Sequence, residues 1–117
     1  MNSIKPLAAA ALAVFASAAQ ADVNIGISLP LTGPGSGLGI PMKNYFALFP
    51  EKIAGEKINL IILDDATDPT KGVSNAKRFV TEDKVDLIGG SAITPVAIAM
   101  ASVAAESGTV QLAFSPA

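Results

Sequence analysis

Ile58-Asn59-Leu60-Ile61-Ile62-Leu63-Asp64-Asp65 is almost unbroken apolar sequence that closes on a pair of acids. Such a run reads as a strand buried on both faces, the pattern of a parallel sheet covered by helices. Asp68-Pro69 follows at once, a helix N-cap with proline in the first helical position. The helix opened there carries Val73, Ala76 and Val80 inward and Lys71, Lys77, Arg78 and Glu82 outward. Val85-Asp86-Leu87-Ile88 is then a further strand, running into Gly89-Gly90-Ser91.

The same alternation of elements extends in both directions. Upstream, Val23 to Leu29 alternates apolar with small or polar residues and stops at Pro30, a first strand. A glycine-rich loop over Thr32 to Gly39 leads to a helix whose Met42, Tyr45, Phe46 and Phe49 fall on one face. Pro41 suits its first turn, and Pro50 ends or kinks it. Downstream, Thr94-Pro95 repeats the cap-plus-proline signal, Val96, Met100 and Val103 form the inward stripe, and Gly108 is the stop. Val110 to Phe114 is the last strand before Ser115-Pro116-Ala117. Strands alternating with helices at this spacing predict an α/β fold, a parallel sheet with helices on both faces.

Ahead of this unit, Met1 to Ala21 has Lys5 near its start, an apolar run from Leu7 to Phe15, and the small-residue ending Ala19-Gln20-Ala21. That is the layout of a secretory signal peptide, with cleavage expected after Ala21 and residues 22–117 left as one small α/β unit. The apolar run is shorter than the roughly 20 residues a membrane span requires. Of 117 residues none is cysteine and none histidine, and the net charge is −2. Zinc thiolate sites, thiol nucleophiles, Ser-His triads and imidazole ligation are thereby excluded, and no basic patch points to nucleic acid. An exported chain without cysteine rests on its hydrophobic core alone. The expected location is the periplasm.

In an open parallel sheet, ligands bind beyond the carboxyl ends of the strands. Those ends are Thr32 to Gly39, Asp64-Asp65, Gly89 to Thr94 and Ser115 to Ala117. The first and third lead into helices whose first amides lack partners, so each offers a seat for an anion. A dinucleotide fingerprint fails, because the third glycine position is Leu38 counted from Gly33 and Ile40 counted from Gly35. No Lys-Ser/Thr pair follows the loop, and Gly35-Ser36-Gly37 has the wrong spacing for a nucleophile elbow. No cofactor, metal site or catalytic group is expected. Adjacent strand residues point to opposite faces, so Asp64 and Asp65 read as polar groups that fix the following loop and not as a shared acid pair. Ser91 and Thr94 carry two readings: Thr94 caps its own helix, or the two hydroxyls and the neighbouring amides grip a ligand carboxylate.

Ile25-Gly26-Ile27-Ser28-Leu29-Pro30-Leu31-Thr32-Gly33-Pro34, Leu63-Asp64-Asp65 with Asp68-Pro69, Val85-Asp86-Leu87-Ile88-Gly89-Gly90 and Ser115-Pro116-Ala117, in that order, resemble the amino-terminal lobe of leucine/isoleucine/valine-binding proteins. Those are periplasmic receptors of ABC importers with the type I binding-protein fold. The resemblance implies a partial N-terminal lobe of a bilobed receptor that clamps an amino acid and delivers it to an inner-membrane ABC permease. It implies ligand contacts at Ser91 and Thr94, at the start of the third helix, and at Ser115 and Ala117 after the last strand. Leu38 stands where many members carry an aromatic residue that packs on the ligand. Ile93 to Met100 also looks like a subgroup that includes receptors for aromatic acids. A ligand sensor of the same fold, feeding a signalling partner, is the other role compatible with these residues. Family members are much longer, so the chain reads as a fragment or a truncated product.

Overall fold

A computed structural model describes residues 22–116, in the order β1 (Val23–Leu29), α1 (Ser36–Phe46), β2 (Lys52–Ile53), β3 (Glu56–Asp64), α2 (Pro69–Thr81), β4 (Leu87–Gly90), α3 (Thr94–Ser107) and β5 (Val110–Leu112). The leader expected over Met1–Ala21 lies outside the described residues, as does Ala117. The strands form one sheet in the order β2-β3-β1-β4-β5, parallel throughout except for the β2–β3 hairpin. Val23 stands opposite Ile58 on one side of β1, and Ile25 opposite Leu87 on the other.

The strand order dictates where the helices lie. The chain steps from β1 to β3 in one direction, then back over β1 to β4 and onward to β5. Right-handed crossovers therefore put α1 on one face and α2 and α3 on the other. The side chains agree. Even-numbered positions of β1 face α2, where Gly26 meets the Phe79 ring, while Ile25 and Ile27 face the opposite way, toward Phe46 and Phe49. The main core fills the α2–α3 face: Phe79, Ile88, Val96 and Met100 are fully buried, with Ala76, Val85 and Ala104 between them. Burying a side chain of that size stabilises the fold by about 1.5–3 kcal/mol. On the α1 face, Phe46 lies 5.9 Å from both Phe49 and Phe114, and these rings close over Ile25, Ile27 and Leu60 around a cavity of about 230 Å³.

Several expectations are corrected. The first helix starts at Ser36, inside the glycine-rich loop, so Pro41 sits in the helix interior and not in its first turn. Pro41 cannot donate to the Gly37 carbonyl, but both residues are exposed, so that carbonyl is open to solvent. Tyr45 is 66% exposed and not buried; the inward stripe is Gly39, Met42, Phe46 and Phe49, because Gly39 packs its backbone against Pro30. β3 is half-buried along Ile58 to Asp64 and not buried on both faces, since α1 reaches β1 but leaves much of the sheet's second face open. β2 was not expected at all. It forms because Ala54 and Gly55 both take positive φ, 51° and 82°, as a two-residue hairpin turn of the primed type requires.

Two helix ends contrast. Asp68 caps α2, its carboxylate accepting from Thr70 N–H at 2.7 Å, with Pro69 as first helical residue. α3 makes no such bond. Its N-cap is Ile93, Thr94 is already helical, and the capping role read for Thr94 is overturned because its hydroxyl donates instead to the Pro116 carbonyl at 3.1 Å. α3 ends at Gly108 (φ 69°), where Thr109 N–H reaches Ala104 and Gly108 N–H reaches Ala105, the paired closing bonds of a Schellman turn. β4 is displaced toward its glycines, and β5 stops at Leu112, short of Phe114, with Val110 and Leu112 exposed.

Candidate functional site

The order of strands reverses at β1, whose following helix lies on one face while the helix leading to β4 lies on the other. A crevice opens at such a point, above the carboxyl ends of β1 and β4. Its rim is made of Pro30 to Gly35 after β1, Asp64 to Asp68 after β3, and Ser91 to Thr94 after β4.

The rim is tied together by the two aspartates. Asp64 points toward the first loop and accepts from Leu31 N–H (2.9 Å), Thr32 N–H (3.2 Å) and the Thr32 hydroxyl (2.6 Å), and from Ala66 N–H (2.7 Å) in its own loop. Burial pushes its pKa up, but the Thr32 hydroxyl and the amides of Ala66, Leu31 and Thr32 outweigh that and hold the carboxyl below the ordinary carboxylate range. Asp65 points the other way, is fully buried, and accepts from the Ser28 hydroxyl (3.1 Å) and Thr67 N–H (3.0 Å). Asn75 completes this buried group, donating to Ser28 Oγ and to the Asp64 carbonyl, each at 3.1 Å. The loop-fixing role read for the pair from sequence is thus the one these bonds describe. Among the described residues no group of acidic side chains is arranged to hold a metal ion.

The residues singled out from sequence are brought together only in part. Ser91 is fully buried; its Oγ accepts from Ile93 N–H at 3.3 Å and its carbonyl accepts from Phe114 N–H at 3.3 Å. Thr94 and Ser115 are half-buried and line one groove of about 480 Å³. That groove runs down the flank of α3 along β5 between Ile98, Ala101 and Ala113, so only its upper end, at Thr94 and Ser115, belongs to the carboxyl edge. Leu38 lies apart in the first turns of α1, 56% exposed, and does not line the groove. Sequence reasoning missed Ser28, Thr67 and Asn75. A serine inside an otherwise apolar strand was the available signal, since a buried hydroxyl requires partners.

A family model described as periplasmic binding protein matches residues 22–117. The chain belongs to the periplasmic binding protein family. Among solved structures, an extracellular ligand-binding receptor from Rhodopseudomonas palustris is 43% identical, with a TM-score of 0.79 over 81% of this chain and 26% of its own. A solute-binding protein of an ABC transporter from Rhodopseudomonas palustris BisB5, solved with 3,4-dihydroxybenzoic acid, is 30% identical with a TM-score of 0.69, covering 80% of this chain and 27% of that one. A leucine-binding protein from Thermotoga maritima is 26% identical with a TM-score of 0.70, covering 78% and 27%. Among curated proteins none matches. The chain spans about a quarter of the length of the receptors it matches. The family is one of solute receptors and not of enzymes, and its members work outside the cytoplasmic membrane.

Proposed function

We propose that this chain forms part of the amino-terminal lobe of a periplasmic receptor that presents a branched-chain amino acid, or a related carboxylate, to an inner-membrane ABC permease. The observation that carries this reading is Thr94, at the opening of α3 beside the loop after β5. A helix that starts there leaves the amides of Thr94 and Val96 without acceptors inside the helix, and Pro95 has none to offer. Those amides and the positive end of the helix favour a carboxylate. The single Thr94 proton is engaged by Pro116, so its free lone pairs suit the ammonium of an amino acid. Ser91 supports this wall from beneath, and Ser115 continues it, with Ala117 kept as a candidate contact from the sequence alone. Leu38 lies apart from this wall, so any contact it made with a ligand side chain would come from outside the groove. The export that such a role requires fits a leader cleaved after Ala21, so the secreted product would have the mass of a chain starting at Asp22.

A second reading has its own support. The neighbour solved with 3,4-dihydroxybenzoic acid is 30% identical, against 26% for the leucine-binding protein. An aromatic acid has the carboxylate but no ammonium, so it would use the α3 amides and leave the Thr94 lone pairs free. Calorimetric titration of a family-length receptor carrying this lobe, with leucine and with 3,4-dihydroxybenzoate, separates the two. Charge-assisted hydrogen bonds are worth about 1.5–3 kcal/mol, so Thr94→Ala should weaken leucine binding roughly ten-fold or more and the aromatic acid much less. Equal affinity of wild type and variant for leucine would remove Thr94 from the site, and binding of neither compound would sink the carboxylate reading.

A further inference from the structure

We propose that Thr67 is the positioning residue of the crevice: its side-chain hydroxyl clasps the loop after β1 and seats Gly35 against Ile93 at the opening of α3. The inference rests on the receptor reading only for its consequence in binding; the clasp itself stands on geometry. Thr67 Oγ1 accepts from Gly35 N–H at 2.9 Å and donates to the Thr32 carbonyl at 3.2 Å, so one hydroxyl spans the loop from both ends. The loop comes in so close that a Cβ on Gly33 or on Gly35 would stand 3.0 Å from that oxygen. On its far side, a Cβ on Gly35 would stand 2.7 Å from Ile93 Cδ1. Two glycines that fit no phosphate or dinucleotide motif thus have a physical reason: they let the loop lie between Thr67 and Ile93. Ile93 in turn has its amide on Ser91 Oγ and directly precedes Thr94.

Thr67 is also held in a conformation that β-branched residues avoid. Its φ is 64°, and that of Ala66 is 51°. Such backbone persists only where the surroundings fix it, and it clusters where geometry matters for function. Here the surroundings are explicit: Asp64 holds the amide of Ala66 and Asp65 holds that of Thr67. The buried Ser28-Asp65-Asn75 group therefore supports the crevice through Thr67. The order of contact is Asp65 to Thr67, Thr67 to Gly35, Gly35 to Ile93.

The test uses Thr67→Val, which keeps shape and branching and removes only the hydroxyl, beside Thr67→Ser, which keeps the hydroxyl. In the isotope-labelled chain, Thr67→Val should speed exchange of the Gly35 amide at least ten-fold and weaken the Gly35–Ile93 cross-peak, while the Ile27 amide in β1 stays protected. Thr67→Ser should restore both signals. In a family-length receptor, whichever of leucine or 3,4-dihydroxybenzoate binds the wild type should bind Thr67→Val at least five-fold more weakly and Thr67→Ser within two-fold. Unchanged Gly35 exchange in Thr67→Val, or loss of signal in Thr67→Ser as well, would overturn the clasp. A freed Gly35 with unaltered affinity would overturn its role in positioning. If the wild type binds neither compound, the receptor reading fails, and the Gly35–Ile93 contact alone decides the clasp.

Discussion

The ring of Phe79 fills the space that a side chain at residue 26 would need: a Cβ on Gly26 would stand 2.5 Å from Phe79 Cγ. The central strand and α2 are thereby matched across the main core, one giving up a side chain and the other supplying the largest fully buried one. Gly26→Ala should destabilise the fold by about 1–3 kcal/mol through overpacking, and Phe79→Ala by about 3–5 kcal/mol through the cavity left behind. Combining Gly26→Ala with Phe79→Leu should cost less than the sum of the two single changes, because the smaller side chain admits the methyl group. Urea denaturation of the four variants measures this, and strict additivity would show that the two positions do not share space.

Asp64 gives the fold a pH dependence of definite sign. Its carboxyl is held below the ordinary range, so the stability it contributes is complete above the ordinary aspartate pKa and is lost as pH falls through the depressed folded-state value. Asp64→Asn should cost about 1 kcal/mol at neutral pH, the solvent around the partly exposed group keeping it below the value of a buried charged bond. The gap between wild type and variant should narrow in acid. Denaturation curves at pH 7 and pH 3 check it; a gap that widens in acid would contradict the assigned hydrogen bonds.

The two proline-marked helix starts should respond differently to alanine. Asp68→Ala removes a true cap and should cost about 1 kcal/mol, whereas Thr94→Ala loses one side-chain bond to Pro116 and no capping bond. Helix content at the melting midpoint, followed by circular dichroism, should therefore fall earlier for Asp68→Ala. A larger effect at Thr94 would restore the capping role that the geometry denies.

Much of this architecture was legible in the sequence because it is local. The limits of β1 follow from alternation and Pro30, the start of α2 from Asp68-Pro69, and the end of α3 from Gly108, each a rule about backbone within one turn or one strand. What escaped reading depends on distant partners. Thr94-Pro95 and Asp68-Pro69 look alike as dipeptides, and only the Pro116 carbonyl, in the segment after β5, turns the threonine hydroxyl away from its own helix. Phe79 was not assigned inward because Gly26, far off in the chain, makes its pocket. The site divides in the same way. Ser91 and Thr94 could be placed at a strand's carboxyl end from the order of elements, but Thr67 acts through Gly35, and a helix-flanking threonine carries no sign of that.

Gly108 offers a cleaner measure of conformational cost. A Cβ there would meet nothing within 4 Å, yet φ is 69°. Gly108→Ala should therefore lose about 1–2 kcal/mol from backbone strain alone, with no change in core packing. Chemical denaturation together with unaltered near-ultraviolet circular dichroism would confirm it, and a loss accompanied by altered tertiary signals would point to packing instead.

The position of β1 at the centre of the sheet bears on when the core can form as the chain is made. Of the described strands it is synthesised first, yet the residues that flank it, beginning at Ile58 on one side and Leu87 on the other, emerge only later. Contacts so distant in sequence close slowly, because the intervening chain must be ordered before they yield any stabilisation. A polypeptide built in this order has no finished core until the later strands are made, which would suit the export proposed above.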